Sequence, residues 1–219
     1  MAYRRTENVI RRLAARHDAI MAAAAALAGE AGINAVQIGP VSQRAGVATG
    51  TVYRYFPSKT ELVAALVASV SERETDAMRR AADAAPGPLS ALAAATTTFA
   101  ARALANPKLS FALIAEQADG AADEARLAFR KAIAAELGKR IATAMNGGHL
   151  PDQDVALAAP ALLGALIEAL IGPLAPAVPD DAKTRDAVQA LTLFMLRAVG
   201  VADARARGLV VQARMPARG

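Results

Sequence analysis

Residues 40–56 read PVSQRAGVATGTVYRYF, and this stretch decides how the chain is organised. It has the pattern of two short helices joined by a sharp turn, with Gly46 where the backbone needs the most freedom. Val41, Val47 and Val52 are apolar at positions that would face neighbouring helices. The pattern indicates a helix-turn-helix. By itself it also fits any other corner between two helices, so the surrounding residues must decide.

The second short helix carries polar and aromatic side chains within two turns. Hydroxyl groups, a guanidinium and phenol rings are suited to contact phosphates and base edges of DNA. Lys59 follows at the start of the next helix, where free amides and the helix dipole favour an anion. Tyr55 falls on an inward position and equally fits the core. The candidates for DNA contact here are Arg44, Ala48, Thr49, Gly50, Thr51, Tyr53, Arg54, Tyr55 and Lys59.

The charge of the chain is concentrated in its first quarter. The 219 residues carry a formal charge of +5. Residues 1–59 contain eight Lys or Arg and three Asp or Glu, whereas residues 60–219 contain seventeen of each. A basic segment on a neutral body predicts nucleic acid or an anionic membrane as partner. In the basic arm, residues 1–13, Arg4 and Arg5 either contact DNA or belong to a solvated tail.

The composition predicts an all-α fold. Alanine, which has the highest helix propensity, accounts for 59 residues, and runs of β-branched residues are absent. Cysteine is absent too, which favours a reducing, cytoplasmic location. Gly, Pro, Asn and Asp separate about nine predicted helices, near 6–31, 40–46, 50–56, 58–84, 88–105, 107–117, 121–146, 153–172 and 181–200.

Local motifs mark several helix starts. Gly39-Pro40, Gly87-Pro88 and Asn106-Pro107 each place a proline at an expected first helical position, where its missing N–H costs nothing. The pattern Ser58-Lys59-Thr60-Glu61 is a capping box. After the last predicted helix, residues 201–219 are expected to form a flexible tail.

The run AGVATGTVYRYFPSKTELVAALV, residues 45–67, closely resembles the DNA-binding module of the TetR family of transcriptional regulators. The alanine-rich helix before it, which ends in Glu30-Ala31-Gly32, is similar to the first helix of that module. The resemblance covers residues 14–74, with the helix-turn-helix motif at 37–56, and implies a three-helix N-terminal domain. Gln37 stands where the family usually has a threonine and Ala48 where a serine is common, so one or two backbone contacts are expected to be missing.

The resemblance implies a bacterial transcriptional regulator that binds a pseudo-palindromic operator in double-stranded DNA as a homodimer. It further implies a repressor that a small-molecule effector releases. Residues 49–51 would face the DNA, Tyr53 and Arg54 would reach phosphates or bases, and Lys59 would clamp a phosphate. Residues 75–200 would form the effector-binding and dimerisation domain.

The resemblance also implies that the last two predicted helices pair with those of the partner subunit. Their apolar surface exceeds what one buried side of a helix needs. The predicted interface residues are Leu162, Leu163, Leu166, Leu170, Leu191, Phe194 and Met195.

The candidate effector pocket is poor in polar groups, which favours a small nonpolar effector. Glu168 is the only charged residue in an apolar segment and must find a partner, a ligand or a cross-dimer hydrogen bond. The candidate lining residues are Phe99, Phe111, Ile114, Glu116, Phe129, Met145 and Glu168.

Other classes of function are less well supported. Residues 155–179 are long enough to cross a membrane, but their prolines and Glu168 favour an interior or interface helix. His149, Asp152 and Asp154 contain the side-chain types of a metal site, but their positions at helix ends explain them more simply. Recognised catalytic motifs are absent, so we expect neither an enzyme nor a cofactor or metal. The alternative to a regulator is a helical small-molecule or lipid-binding protein whose basic end contacts membranes.

Overall fold

The computed structural model describes residues 2–117, 120–176 and 181–216, and the side chains of 9–117, 120–176 and 183–216. These ranges contain ten α-helices, a 3-10 turn at Ile33–Ala35 and no strand, which confirms the predicted all-α class. The helices are α1 (Ala2–Ala31), α2 (Ile38–Arg44), α3 (Thr49–Tyr55), α4 (Lys59–Asp83), α5 (Pro88–Ala105), α6 (Pro107–Ile114), α7 (Ala121–Asn146), α8 (Val155–Leu170), α9 (Asp181–Ala198) and α10 (Asp203–Gln212).

The two ends of the chain differ from the expectation. The predicted tail, residues 201–219, instead contains α10, whose Ala206 and Val210 are buried. The helix packs against α9 and α5. At the other end, residues 2–13 of the arm predicted as residues 1–13 have a helical backbone that continues into the rest of α1. The backbone of residues 2–13 is therefore part of α1 and not a separate segment.

Two prolines lie inside helices. The helix predicted to begin at Gly39-Pro40 begins instead at Ile38, with Gln37 as its N-cap residue, so Pro40 is the third helical residue. The first amides of a helix have no partner within it, and proline is tolerated there. In α8 the helix runs through Pro160, as the predicted helix 153–172 does, and ends before Pro173.

Side-chain caps fix three other helix starts. Ser58 Oγ accepts a hydrogen bond from the Glu61 amide at 3.1 Å, as the capping-box pattern predicts. Asn106 Oδ1 accepts one from the Leu109 amide at 3.3 Å at the start of α6. Asp154 Oδ1 accepts one from the Ala156 amide at 2.8 Å at the start of α8. Each cap satisfies an amide that has no partner within its helix.

Helix α4 belongs to both halves of the molecule. Its first turns bury Leu62 and Leu66, and α4 also contacts α1. Its main partners are α5 and α7 in the larger C-terminal half. Glu74 of α4 accepts a hydrogen bond from Arg102 Nη2 of α5 at 2.8 Å, and Asp83 lies 2.8 Å from Nη1 of Arg140 in α7. These ion pairs connect the C-terminal part of α4 to its neighbours.

The core of the C-terminal half surrounds α5. This helix contacts α4, α7 and α9, and most of its residues are buried. Helices α7 and α8 pack closely because Gly138 has no side chain. A Cβ there would lie 3.3 Å from Cγ1 of Val155. The large buried side chains of this core include Phe99, Leu113, Phe129, Ile133, Leu137, Ile141 and Leu166.

Candidate nucleic-acid interface

The corner between α2 and α3 is held by a glycine turn and a serine. Gly46 has φ of +64°, a conformation that favours glycine. Ser42 Oγ donates to the Gly39 carbonyl at 2.8 Å and shares a hydrogen bond with the Thr49 hydroxyl at 3.1 Å. Val41 and Val52 are fully buried behind this contact. The two short helices are thereby fixed relative to each other, as the sequence predicts.

The opposite side of α3 faces solvent. Thr49, Gly50, Tyr53 and Arg54 are exposed, and Thr51 is half-buried. The exposed fraction of Tyr53 is 51 %, large for an aromatic side chain. Within the described residues, Arg54 forms no ion pair and the Tyr53 hydroxyl no hydrogen bond. These groups are therefore available to a molecule outside the chain.

Helix α3 begins without a side-chain cap. Its N-cap residue is Ala48, which is exposed and has no oxygen to accept a hydrogen bond from the helix amides. Because a serine is absent at this position, the first amides of α3 have no side-chain acceptor from the N-cap residue. Gln37, the other departure, caps α2 without a side-chain bond, and its Nε2 donates to the Asn34 carbonyl at 2.9 Å.

Tyr55 occupies the inward position that the sequence left open. Its hydroxyl donates to the Leu13 carbonyl of α1 at 3.0 Å, and its ring lies 6.0 Å from that of His17. The His17 ring also lies 5.6 Å from Phe56. Tyr55 therefore connects the end of α3 to α1, which is the role of a positioning residue.

The remaining basic candidates differ in their surroundings. Arg44 donates to Glu30 of α1 at 2.7 Å, and this hydrogen bond lowers the pKa of Glu30 and raises the pKa of Arg44. Lys59 is half-buried at the start of α4 and has no ion pair within the described part of the chain. The side chains of Arg4 and Arg5 lie outside the described ones.

The structure brings together two of the candidate effector-pocket residues. Phe111 and Glu116 line a cleft of about 580 Å³ between the end of α1, the start of α6 and the end of α8. The other cleft residues, among them Lys108 and Ile171, were missed. They come from segments far apart in the chain, and no local pattern marks them.

The other pocket candidates do not line this cleft. Phe99, Ile114 and Phe129 are buried in the core, and Met145 is half-buried. Glu168 is exposed, and its Oε1 accepts a hydrogen bond from the Leu174 amide at 3.0 Å. The carboxylate thus finds a partner in the turn that follows its own helix rather than inside the domain.

The predicted dimer interface needs correction. Within the single chain, α8 buries Leu162, Leu163, Leu166 and Leu170, and α9 buries Met195. Leu191 is partly buried. Phe194 is 55 % exposed, so it is the one large apolar side chain of the predicted set that faces solvent. On α8 the large apolar side chain that faces solvent is that of Leu157, which is 68 % exposed.

The fold and the geometry of α2 and α3 define an all-α protein with an N-terminal helix-turn-helix domain. In the described ranges, no helix combines the length and apolar character needed to cross a membrane. Residues 20–66 match the family model of bacterial regulatory proteins of the tetR family. This N-terminal stretch is therefore similar to the tetR family, and the match does not extend to the rest of the chain.

A curated relative supports the same domain. The HTH-type transcriptional repressor KstR of Rhodococcus jostii (strain RHA1) is 48 % identical over 58 residues. The matched region is 26 % of this chain and 27 % of KstR, so the chain spans about a quarter of this relative's length. The remaining three quarters are not compared by this match.

Solved structures extend the similarity of fold to nearly the whole chain. RolR in complex with resorcinol superposes with a TM-score of 0.65 at 22 % identity, covering 94 % of this chain and 98 % of RolR. FadR from Bacillus subtilis in complex with stearoyl-CoA superposes with a TM-score of 0.69 at 19 % identity, covering 80 % of this chain and 97 % of FadR. At these identities the similarity establishes the fold alone.

Proposed function

We propose that this chain is a transcriptional regulator that binds double-stranded DNA as a dimer and is controlled by a small-molecule effector. The observation that carries the proposal is the exposed face of α3. There Arg54 and Tyr53, which have no polar partner among the described residues, lie on a helix fixed by α1 and α2. Such a helix fits the major groove, and its guanidinium and hydroxyls suit phosphates and base edges. We assign no catalytic role to any residue.

Repression is the direction that the relatives support. KstR, which matches the N-terminal domain, is named a transcriptional repressor. RolR and FadR, which share the fold, are described in complex with resorcinol and stearoyl-CoA. By analogy, we propose that a mainly apolar effector binds the C-terminal half and lowers the affinity for DNA. This requires two orientations of the DNA-binding domains with different affinity for the effector.

Dimerisation through α8 and α9 completes the proposal. Leu157 on α8 and Phe194 on α9 are large apolar side chains exposed to solvent, and exposed apolar surface of this kind often marks a protein–protein interface. A two-fold axis there would present two copies of α3 to half-sites about 34 Å apart, one turn of DNA. The corresponding operator is pseudo-palindromic.

The test is DNA binding by variants of α3. We expect Arg54→Ala and Tyr53→Ala to reduce the affinity for the DNA upstream of the chain's own gene to the non-specific level, measured by fluorescence anisotropy at fixed salt. Lys131→Ala, which removes an exposed charge from α7, is the matched control and should bind normally. Helicity and dimer content should not change.

Two results would contradict this assignment. If Arg54→Ala and Tyr53→Ala bind DNA like the wild type, α3 does not read the operator. If either variant dissociates or loses helicity, its side chain has a structural role instead.

Contact of the basic end with membranes is the second candidate, and one observation favours it. Val9, Ile10 and Leu13 are 53, 60 and 42 % exposed at the start of α1, beside several arginines. An apolar stripe flanked by arginines is typical of helices that lie on anionic lipid. Co-sedimentation with phosphatidylglycerol vesicles, with and without competing DNA, separates the two functions.

A further inference from the structure

The cleft of about 580 Å³ lies where the two halves of the molecule meet. Its walls come from the end of α1, from α6 and from the end of α8. The volume falls within the range of small-molecule sites, roughly 300–1,000 Å³. Most of the walls are apolar, and the residues that form them are Ala31, Pro107, Phe111, Leu170, Ile171, Pro173 and Ala175.

The Glu116 carboxylate lies at the junction of the two halves, and among the described residues only one of its two oxygens accepts a hydrogen bond. Glu116 Oε2 accepts a hydrogen bond from the Ile33 amide at 2.9 Å, which connects the segment after α6 to the segment before α2. A Cβ on Gly32 would lie 2.9 Å from the same oxygen, so the close approach depends on this glycine, which has φ of +81°. Within the described residues, Glu116 Oε1 accepts no hydrogen bond. A half-buried acceptor therefore lies unused on the wall of an apolar cleft.

The charges around the cleft balance. Glu30 at the rim is paired with Arg44, and the lining also contains the anion Glu116 and the exposed cation Lys108, so the formal charges of these four residues sum to zero. The Glu116 carboxylate would repel a negatively charged ligand, and the Lys108 ammonium group would repel a positively charged one. The arrangement favours a neutral molecule that offers a hydrogen-bond donor.

We propose that this cleft binds a neutral cyclic alcohol or phenol, with its ring against Phe111 and Ile171 and its hydroxyl donating to Glu116 Oε1. The site deepens the proposed function, on which its role as the effector site rests, and it is separate from the buried core around Phe99 and Phe129. The other oxygen of the same carboxylate accepts the hydrogen bond from the Ile33 amide. A ligand in the cleft therefore lies beside the hydrogen bond that connects the C-terminal half to the segment before the helix-turn-helix.

Binding of matched naphthalene probes tests the proposal. We expect isothermal titration calorimetry to show that 2-naphthol binds the full chain about tenfold tighter than 2-methoxynaphthalene, which has the same rings without the donor. Glu116→Gln retains an acceptor for Ile33 but is neutral, so the preference should fall to about threefold. Equal affinity of the two probes for the wild type, or an unchanged preference in Glu116→Gln, would overturn the proposal.

The position of the site is tested by filling the cleft. Ala175→Trp should weaken 2-naphthol binding at least about tenfold, whereas Ala204→Trp, which adds the same ring at an exposed site of α10, should not change it. Normal binding to Ala175→Trp would place the probe elsewhere and overturn the proposal. Circular dichroism confirms that both variants fold.

The binding experiments contain no DNA, so they are independent of the proposed function. If 2-naphthol binds as expected and the chain binds no DNA, the site stands and the regulator assignment fails. If the chain binds DNA and the probes do not discriminate, the regulator assignment stands and the cleft is not the site.

Discussion

Lys59 is the residue whose proposed role in DNA binding is simplest to measure. It lies at the first position of α4, four residues after α3 ends, and forms no ion pair in the described part of the chain. A lysine that neutralises one phosphate contributes to binding whatever the sequence. We expect Lys59→Ala to weaken binding to all DNA equally and to reduce the slope of log K against log salt by about one.

The measurement is a salt titration of anisotropy with specific and unrelated duplexes. Lys131→Ala again serves as the control, because it removes the same charge from α7. An unchanged slope in Lys59→Ala would contradict the phosphate contact.

Ala48 lies at a position where a side-chain oxygen would improve the protein. The N-cap of α3 has extended backbone dihedrals, φ −66° and ψ +144°, which suit a capping serine. We expect Ala48→Ser to raise the free energy of unfolding by about 1 kcal/mol, measured by urea denaturation. Ala26→Ser, at an exposed position inside α1, lacks a free amide to cap and should give no gain. An equal effect of both substitutions would show that capping is not the cause.

At the scale of elements, one carboxylate of α10 forms a hydrogen bond with the end of α9. Asp203 accepts hydrogen bonds from Arg207 Nε at 2.9 Å and from Arg197 Nε at 2.7 Å, and these bonds lower the pKa of Asp203. Because the pKa is lower in the folded state, the bonds stabilise α10 at neutral pH. The stabilisation is lost as the pH falls below the unfolded value of about 4 and through the folded pKa.

The pH dependence of hydrogen exchange tests this attachment. In the wild type, the protection factors of α10 amides should fall between pH 6 and pH 3. In Asp203→Asn they should be lower at pH 6 and change little. Asp152→Asn, at an exposed carboxylate outside α10, should behave like the wild type. Protection of α10 that is the same in Asp203→Asn and wild type would show that the helix is held by Ala206 and Val210 alone.

The elements differ in how far local sequence predicted them. The nine predicted helices are present because strong helix formers lie between clear start signals such as Ser58 and Asn106. Helix α10 was missed because its sequence, DARARGLVVQ, contains a glycine and shows a weak apolar pattern. It is helical where Ala206 and Val210 can be buried against the rest of the fold, and that surface exists only after folding.

At the scale of the whole molecule, Phe194 marks the proposed interface between subunits. Its side chain is 55 % exposed on α9, and burying an aromatic ring between subunits is strongly favourable. We expect Phe194→Asp to convert the dimer to a monomer and to weaken binding to a palindromic operator, measured by analytical ultracentrifugation and anisotropy. Val211→Asp, at a 79 % exposed site of α10, is the control and should remain dimeric. A Phe194→Asp dimer would place the interface elsewhere.

The sequence by itself determined the class of fold, nearly all helices and the helix-turn-helix, because these depend on residues close together in the chain. Only the tertiary structure decided which side of each helix is buried. It turned four of the five leucines of α8 inward, gave Tyr55 a bond to α1, and left Leu157 and Phe194 outside. It also assembled the cleft at Glu116 from three distant segments. An apolar periodicity identifies a helix, but for α8, which is apolar on all sides, the choice of face depends on what its neighbours offer.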